Sequence, residues 1–397
     1  MNNARRADAA FLIAILAGVL FIAFLGPLGR RLEMVHFNDF SGFWSGPRSV
    51  LVGVDPWDPV HYPPTAVALG TKTPDALVDD YMPWVVLALL PIGLLPLEVA
   101  GWVWMVLSMT LAALALRALL RTFVPGRPIV HGMLGLALFV GQPGFHAIVL
   151  GQWALLLMSA VAAIVLWVRA GHARRASAAA LMLLAKPQIF VWTALGLGIS
   201  GFVDERYRRF VRYTIVLAGA VVVCAWLAYP DWFPAWLADI PPRRTGRSAV
   251  LLSAFGQILG TPGRILAIAV IGAGVLLASR FVPASDAWLA MWLSLSSAGA
   301  IYSWSYDQVL LFVPLTIASG VLVASGRERA GTWLAVGGAL TLLLVSPLFY
   351  AVGVIRRDET FSVAIPVAFF VAIAWSLWPY RRGSLVRERP AQQVQAA

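Results

Sequence analysis

The stretch FNDFSGFWSGPRSVLVGVDPWDPVHYPP, residues 37–64, places carboxylates among aromatic residues and prolines in a chain that has few charges. A carboxylate can take a proton from a hydroxyl group as a new bond forms to its oxygen. Asp39 is a candidate for such chemistry, because an ionised residue at the end of a transmembrane helix is costly unless it is used. The simpler explanations are a helix cap for Asp39 and Asp-Pro turns for Asp55 and Asp58.

The composition identifies the solvent that surrounds most of the chain. Of the 397 residues, 60% are hydrophobic and only 12% are charged, and the mean hydropathy is +0.80. Such a chain has too little polar surface for a water-soluble globule. Its uncharged runs approach the roughly 20 residues that a helix needs to cross a bilayer, and strand-like alternation is absent. We therefore expect an all-α fold: a polytopic membrane helical bundle that forms one integral membrane domain, residues 1–397.

Twelve transmembrane helices are predicted. The two long links between them are an outer loop at 29–96 and a second outer loop at 230–262. Lys and Arg concentrate in short links such as 117–128, 169–175 and 204–212, which the positive-inside tendency places in the cytoplasm together with both termini. The predicted spans are 9–28, 97–116, 129–150, 152–169, 176–186, 187–203, 211–229, 263–281, 286–304, 306–325, 331–354 and 361–379.

The apolar segment MPWVVLALLPIGLLP, residues 82–96, is short and broken by prolines. If it crossed the membrane, the orientation of every later span would invert and most Arg-rich links would lie outside. We therefore expect interfacial or re-entrant helices in this part of the first outer loop. The orientation that follows places most uncharged polar residues and most isolated carboxylates at the outer ends of helices.

Several function classes are disfavoured by the residues that the chain lacks. The net charge of +11 lies mainly in links between apolar runs, so nucleic acid is not an expected partner. The only cysteine, Cys224, excludes an intrachain disulfide and a thiolate cluster. No zinc spacing, phosphate-binding Gly loop or nucleotide fingerprint is present. We expect no cofactor and no required divalent metal.

Four segments, in order through residues 35–320, carry a resemblance to a known family: NDFSGFWSGPRSVLVGVDPWDP, LGQWALLL, LLAKPQ and YSWSYDQVLLFVPL. Together they resemble glycosyltransferase family 87, in the GT-C class of membrane glycosyltransferases that use polyprenyl-phosphate sugars. Members of this family build phosphatidylinositol mannosides. Mannosyl-transferring relatives often carry a His pair where this chain has Tyr306 and Asp307.

The resemblance implies an inverting transfer of mannose or another hexose or pentose to a lipid or glycan acceptor, with Asp39 as the base. A departing phosphate needs cationic groups where its negative charge grows. Lys186, beside a proline within an apolar stretch, is one candidate for such a cation. The alternative explanation for Lys186 is snorkelling or pairing with Gln188. Trp44 and Trp304 are the tryptophans expected near the sugar. The candidate substrate-binding residues are Arg48, Asp58, Gln152, Lys186, Arg243, Arg244, Arg247, Trp304, Tyr306 and Asp307.

Alternative roles stay open at this point. Gln152 could simply hydrogen-bond between helices, Asp307 could be a solvated helix cap, and the arginines at 243–247 could bind lipid headgroups. A charged residue such as Lys186 between broken helices is also typical of transporters. A transporter or flippase of lipid-linked sugars is therefore the alternative function, although no inverted repeat is evident.

Overall fold

The computed structural model describes residues 3–31, 39–71, 78–79, 81–239 and 247–382. These residues are predominantly helical, and within them the β-structure is confined to one isolated bridge between Phe281 and Arg381. The expected all-α fold class is confirmed. Arg243 and Arg244 lie outside the described residues.

Within the described residues, eight helices are long and apolar enough to cross a membrane, so the chain is a multi-pass membrane protein. Other predicted spans correspond to shorter helices, including Ala154–Arg169, Ala173–Ala180, Val191–Val203 and Asp286–Ala298. The count of twelve spans is therefore not confirmed. The eight long helices are Asn3–Phe24, Leu97–Phe123, Pro128–Leu150, Glu205–Ala228, Leu251–Ala278, Ser305–Ala324, Glu328–Arg356 and Thr360–Tyr380.

The segment between the first two long helices contains only short helices in its described part. Phe40–Leu51 has 12 residues and buries Phe40, Phe43 and Trp44 on one side. Residues 82–96 form two helices of 6 and 4 residues, which are far too short to cross a bilayer. The helices of the segment are Phe40–Leu51, Tyr62–Ala68, Pro83–Ala88 and Leu90–Gly93.

The centre of the bundle is formed by the helices Asp286–Ala298 and Phe312–Ala324, whose side chains are buried almost throughout. Trp288 donates from its indole nitrogen to the Gly196 carbonyl at 3.0 Å. A Cβ at Gly196 would lie 2.5 Å from Trp292, so the helix Val191–Val203 can approach this pair only with glycine at that position. This close packing supports the short helices that end near the candidate site.

One end of the bundle carries the Arg-rich links. Arg121 pairs with Asp8 of the first helix at 2.5 Å, and Arg169 pairs with Asp286 at 2.6 Å. Helix Ala154–Arg169 ends at this face, and its other end follows Gln152. The polar residues that could perform chemistry lie at that other end.

Candidate active site

Four side chains from widely separated parts of the sequence form one hydrogen-bonded chain at the polar end of the bundle. The Gln152 amide nitrogen donates to Asp39 Oδ2. Lys186 Nζ donates to Gln152 Oε1 at 3.2 Å and to Asp307 Oδ1 at 3.0 Å. The structure thus brings together the proposed base and three of the predicted substrate-binding residues. We call these four residues the base cluster.

The Lys186 ammonium is the centre of the base cluster. Its side chain is only 8% exposed and that of Asp307 only 2%, so the two charges neutralise each other away from water. The Tyr306 ring lies 4.6 Å from Nζ, which adds a cation–π contact. Pairing with Gln188, the alternative considered from sequence, is replaced by pairing with Gln152 and Asp307.

A break in the helix places Lys186. Residues Leu181–Ala185 and Pro187–Ile189 form short 3-10 helices, and Lys186 between them has φ −141° and ψ 64°. Pro187 cannot supply the N–H that a continuous helix would need. Trp84 donates from its indole to the Leu184 carbonyl at 3.1 Å, which ties the first outer loop to this corner.

Gly151 determines how Gln152 reaches Asp39. It ends the helix Gln142–Leu150 in the left-handed conformation, with φ +69°. A Cβ at this position would lie 2.6 Å from Phe40 Cβ, next to Asp39 in the sequence. Trp153 then packs edge-on against Trp104, with ring centroids 4.7 Å apart. The motif Gly-Gln-Trp therefore combines a turn, a polar contact and an aromatic anchor.

Asp39 stands at the first turn of the helix Phe40–Leu51. Its backbone is helical and its side chain does not cap the helix, so capping does not explain the carboxylate. The side chain is exposed at the polar end, while Phe40 and Phe43 beside it are buried. A carboxylate held there by Gln152 is placed to meet a hydroxyl group that arrives from outside the bundle.

Asp307 uses its second oxygen to stabilise its own segment. Oδ2 accepts from the Trp304 backbone N–H at 3.1 Å, at the start of the 3-10 helix Ser305–Leu311. The residue thus caps a helix, as the simpler explanation proposed, but it is buried rather than solvated. One carboxylate therefore fixes the backbone beside the base cluster and the ammonium within it.

A second set of buried polar residues, the His146 network, lies on the other side of Tyr306. His146 contacts Tyr350 OH through Nε2 at 3.2 Å, and its ring is 5.5 Å from that of Tyr306. Gln142 donates to Ser305 Oγ at 3.0 Å and accepts from Ser346 Oγ at 2.7 Å. Ser346 directly follows a π-helical turn, Thr341–Val345, and is buried. Gln142 therefore makes structural hydrogen bonds between separate segments of the bundle.

Glu359 joins three segments at the rim of the base cluster. Its Oε2 accepts from the Ser305 N–H at 2.9 Å, and its own N–H donates to the Arg247 carbonyl at 3.2 Å. Burial raises the pKa of the Glu359 carboxyl, and the charges of Asp307 and Asp39 raise it further. Arg247 is exposed and is held beside this rim by its backbone.

Arg48 and Asp58 bond to other residues of the segment 29–96. Arg48 donates to the Gly93 carbonyl at 3.3 Å. Asp58 binds His61 Nδ1 at 2.6 Å and accepts from the Val60 N–H, and the bond from His61 lowers the pKa of its carboxyl. The Asp58 contacts fit a turn, and the hydrogen bonds that Arg48 and Asp58 make within the described residues do not reach the base cluster.

The two tryptophans expected near the sugar differ in position. Trp44 is buried in the core and donates to the Leu95 carbonyl at 2.9 Å, so its placement near a sugar is wrong. Trp304 is half-buried beside the base cluster and donates to Tyr302 OH at 2.6 Å.

Sequence reasoning missed a buried carboxylate in the first outer loop. Asp79 is 2% exposed and accepts from the Tyr81 N–H at 2.7 Å and from Tyr62 OH at 3.4 Å. A Cβ at Gly46 would overlap its Oδ2, so the glycine admits the carboxylate against the helix Phe40–Leu51. Glycine at this helix position was the available signal. Asp79 holds the loop against the helix that carries Asp39.

Metal binding has no obvious site in the part of the chain that the structure describes. No three His, Cys, Asp or Glu side chains gather there in an arrangement suited to an ion. The absence of a metal requirement stays a prediction.

The sequence model of glycosyltransferase family 87 matches residues 81–257, which confirms the resemblance over that range. Gln152 and Lys186 lie inside it. No curated protein matches the chain. In fold, the chain is similar to two crystal structures of ArnT from Cupriavidus metallidurans. The apo structure has 16% identity and a TM-score of 0.47, covering 94% of this chain and 77% of ArnT. The structure bound to undecaprenyl phosphate has 14% identity and a TM-score of 0.45, covering 90% and 76%.

Proposed function

We propose that the protein is an inverting membrane glycosyltransferase that moves a sugar from a polyprenyl-phosphate donor to a hydroxyl group of a lipid or glycan acceptor. The sugar is mannose or another hexose or pentose. The observation that supports this most is the contact of the exposed Asp39 carboxylate with a buried charged cluster. The family match over 81–257 supports the reaction class independently of Asp39.

In the proposed reaction, the acceptor hydroxyl oxygen attacks the anomeric carbon of the donor sugar from the face opposite the phosphate. The new C–O bond forms as the hydroxyl proton passes to Asp39. The bond between the anomeric carbon and the phosphate oxygen breaks, and the polyprenyl phosphate leaves with the electron pair. One carboxylate suffices because a phosphate leaves without protonation, unlike the alkoxide leaving group of glycosidases.

The departing phosphate requires a cation that can reach it. Two of the three N–H groups of Lys186 donate to Gln152 and Asp307, so its charge is already compensated. Arg247 is exposed at the rim, and its guanidinium can present two parallel N–H donors to phosphate oxygens. We therefore assign the donor phosphate to Arg247 among the predicted arginines. Lys186 is buried, and it holds the base cluster together through its bonds to Gln152 and Asp307.

The aromatic residues beside Asp307 supply a surface for the sugar. Trp304 and Tyr302 form an edge-on pair with ring centroids 5.9 Å apart, and both are half-buried. Asp307 and Tyr306 lie below them, buried against Lys186. A sugar ring stacked on Trp304 would lie beside the base cluster, because the Trp304 backbone bonds Asp307.

We propose that this polar end faces outward and that both termini are cytoplasmic. The concentration of Arg in links at the opposite end supports this orientation. It is tested with Cys224→Ala protein carrying Val60→Cys or Arg175→Cys, since both positions are exposed. An impermeant thiol reagent added to intact cells should label residue 60 and spare residue 175. Labelling of both positions, or of residue 175 alone, contradicts the orientation.

The reaction is tested by incubating purified protein in lipid with a panel of radiolabelled undecaprenyl-phosphate sugars and membrane-lipid acceptors. Transfer of label to a new product, with release of undecaprenyl phosphate and unaffected by EDTA, supports the proposal. Movement of the intact donor between leaflets without cleavage supports the transporter alternative instead. Loss of turnover in EDTA that added Mg²⁺ restores would contradict the expected absence of a metal requirement.

A further inference from the structure

The neighbours of Gln152 fix the orientation of its amide group. A lysine ammonium can only donate hydrogen bonds, so the Gln152 atom 3.2 Å from Lys186 Nζ is the oxygen. The amide nitrogen therefore faces Asp39 and donates to Oδ2. Lys186 is in turn held by Asp307 at 3.0 Å, with the Tyr306 ring beside it.

We propose that Gln152 is a positioning residue for Asp39, held in its donating orientation by the buried pair of Lys186 and Asp307. This inference rests on the proposed function, because it assumes that Asp39 is the base. It gives Gln152 a role that substrate binding does not include. Gln152 is 3% exposed, and both ends of its amide are bound within the protein.

The bond from Gln152 has two effects on Asp39. An N–H donor stabilises the ionised carboxylate, which is the form a base needs before the acceptor arrives. The bond also fixes the plane of the carboxylate and thereby the direction in which it meets a hydroxyl. Both effects require the amide nitrogen, so they depend on the ammonium that holds the amide oxygen.

The other charged groups near Asp39 make this donor important. The other carboxyl groups there are Asp307, within the base cluster, and Glu359, at its rim, and burial and the charges of Asp307 and Asp39 raise the pKa of Glu359. The Tyr306 ring, which lies over Lys186, adds no charge to the cluster in its phenol form. Lys186 supplies the opposing positive charge. Without the Gln152 donor, the carboxylates around Asp39 favour its protonated form.

The test compares Gln152→Leu and Gln152→Glu with Gln142→Leu. Gln142 is a buried amide near the same end of the bundle, bonded to the His146 network, so its loss removes similar packing and hydrogen bonding. Two quantities are measured as a function of pH. One is kcat/KM with the undecaprenyl-phosphate sugar that the wild type consumes. The other is the Asp39 carboxyl signal in 13C-aspartate NMR, identified by its loss in Asp39→Asn.

In Gln152→Leu, the acid limb of kcat/KM and the Asp39 titration should both move upward by about one pH unit or more, as loss of a charge-assisted bond predicts. Gln152→Glu should move the titration in the same direction, because a second carboxylate repels the first. Gln142→Leu should move neither quantity.

Unmoved titration in both Gln152 variants overturns the inference, as does an equal shift in Gln142→Leu. If the wild type consumes no lipid-linked sugar, the proposed function fails, whereas the NMR titration still decides whether Gln152 controls Asp39. Should Gln152→Leu fail to fold, Gln152→Glu keeps the size of the side chain and gives the same readout.

Discussion

Lys186 Nζ and Asp307 Oδ1 lie 3.0 Å apart in the interior of the bundle, although 121 positions separate them in the sequence. A buried ion pair adds little net stability, but removing one partner leaves an uncompensated charge. Each of the two residues can therefore stay buried and charged at low cost only while its partner is present.

Lys186→Met should lower the free energy of unfolding by about 3–5 kcal/mol, because the Asp307 carboxylate stays buried without a counter-charge. Adding Asp307→Asn should restore most of this loss while keeping an acceptor for the Trp304 N–H. Thermal unfolding in detergent measures the changes. The control is Arg169→Met with and without Asp286→Asn, an exposed pair whose loss should cost about 1 kcal/mol or less. A double variant no more stable than Lys186→Met would show that the charges are not coupled.

Asp39→Asn should abolish transfer and leave expression and unfolding temperature close to wild type. The amide keeps the size of the side chain and can still bond Gln152, but it cannot accept a proton, and a base contributes about 10²–10⁴-fold to rate. Product formation from the labelled donor is the measurement. Asp231→Asn removes another exposed carboxylate at the proposed outer end and serves as the control. Turnover of Asp39→Asn within a few-fold of wild type would eliminate Asp39 as the base.

Gly151→Ala should reduce both stability and turnover. A residue with a side chain in the left-handed region costs about 1–3 kcal/mol, and the new Cβ would also press against Phe40 and move Gln152 from Asp39. Gly171→Ala is the matched control, since its φ is +77° but a Cβ there meets nothing within 4 Å. Stability and product formation are measured for both. Equal behaviour of the two variants would mean that only backbone strain matters at residue 151.

Arg247→Ala should reduce turnover by about a hundredfold or more, the scale expected when a stabiliser of transition-state charge is removed. Arg356→Ala is the control, since this exposed arginine lies at the same end, over the Phe361 ring at 5.0 Å. Arg243→Ala and Arg244→Ala should have small effects. Small, similar losses for all four that depend only on anionic lipid content would make the loop a membrane anchor and not a phosphate clamp.

The sequence predicts the membrane bundle well because a helix surrounded by lipid needs a long apolar run, and such runs are visible directly in the sequence. It also places Asp39, Gln152 and Asp307 at one end of the bundle and leaves open whether Lys186 joins them. It does not predict that they bond to one another, because that depends on how closely helices pack. Gly151 lets Phe40 approach, and this contact becomes visible only when both segments are in place.

The number of spans and the partner of Lys186 were harder to predict for related reasons. Apolar runs broken at Lys186 or near Gly299 look like separate spans, whereas the structure uses short helices that end beside the polar cluster. Lys186 bonds Gln152 and Asp307, which are 34 and 121 positions away, so no local pattern reveals the pairing. Glu359 was not among the predicted site residues because it lies in a short link without a recognisable motif.

Glu359→Gln should change how stability depends on pH. Burial raises the pKa of the wild-type carboxyl above its value in the unfolded chain, so the folded protein binds the proton more tightly. Stability supplied by this group is therefore present below the unfolded pKa and is lost as pH rises through the raised, folded pKa. Gln keeps an oxygen that can accept from the Ser305 N–H but does not titrate.

The unfolding temperature of wild type relative to Glu359→Gln should thus fall as pH rises through that window, and the variant should be the more stable protein above it. Thermal unfolding in one detergent, measured from acidic to mildly alkaline pH, gives this difference. Glu328→Gln, an exposed carboxylate paired with Arg127 at the opposite end, is the control and should show no such fall. A difference between wild type and Glu359→Gln that is constant with pH would mean that Glu359 is ionised equally in the folded and unfolded states, and that its contact with Ser305 compensates its burial.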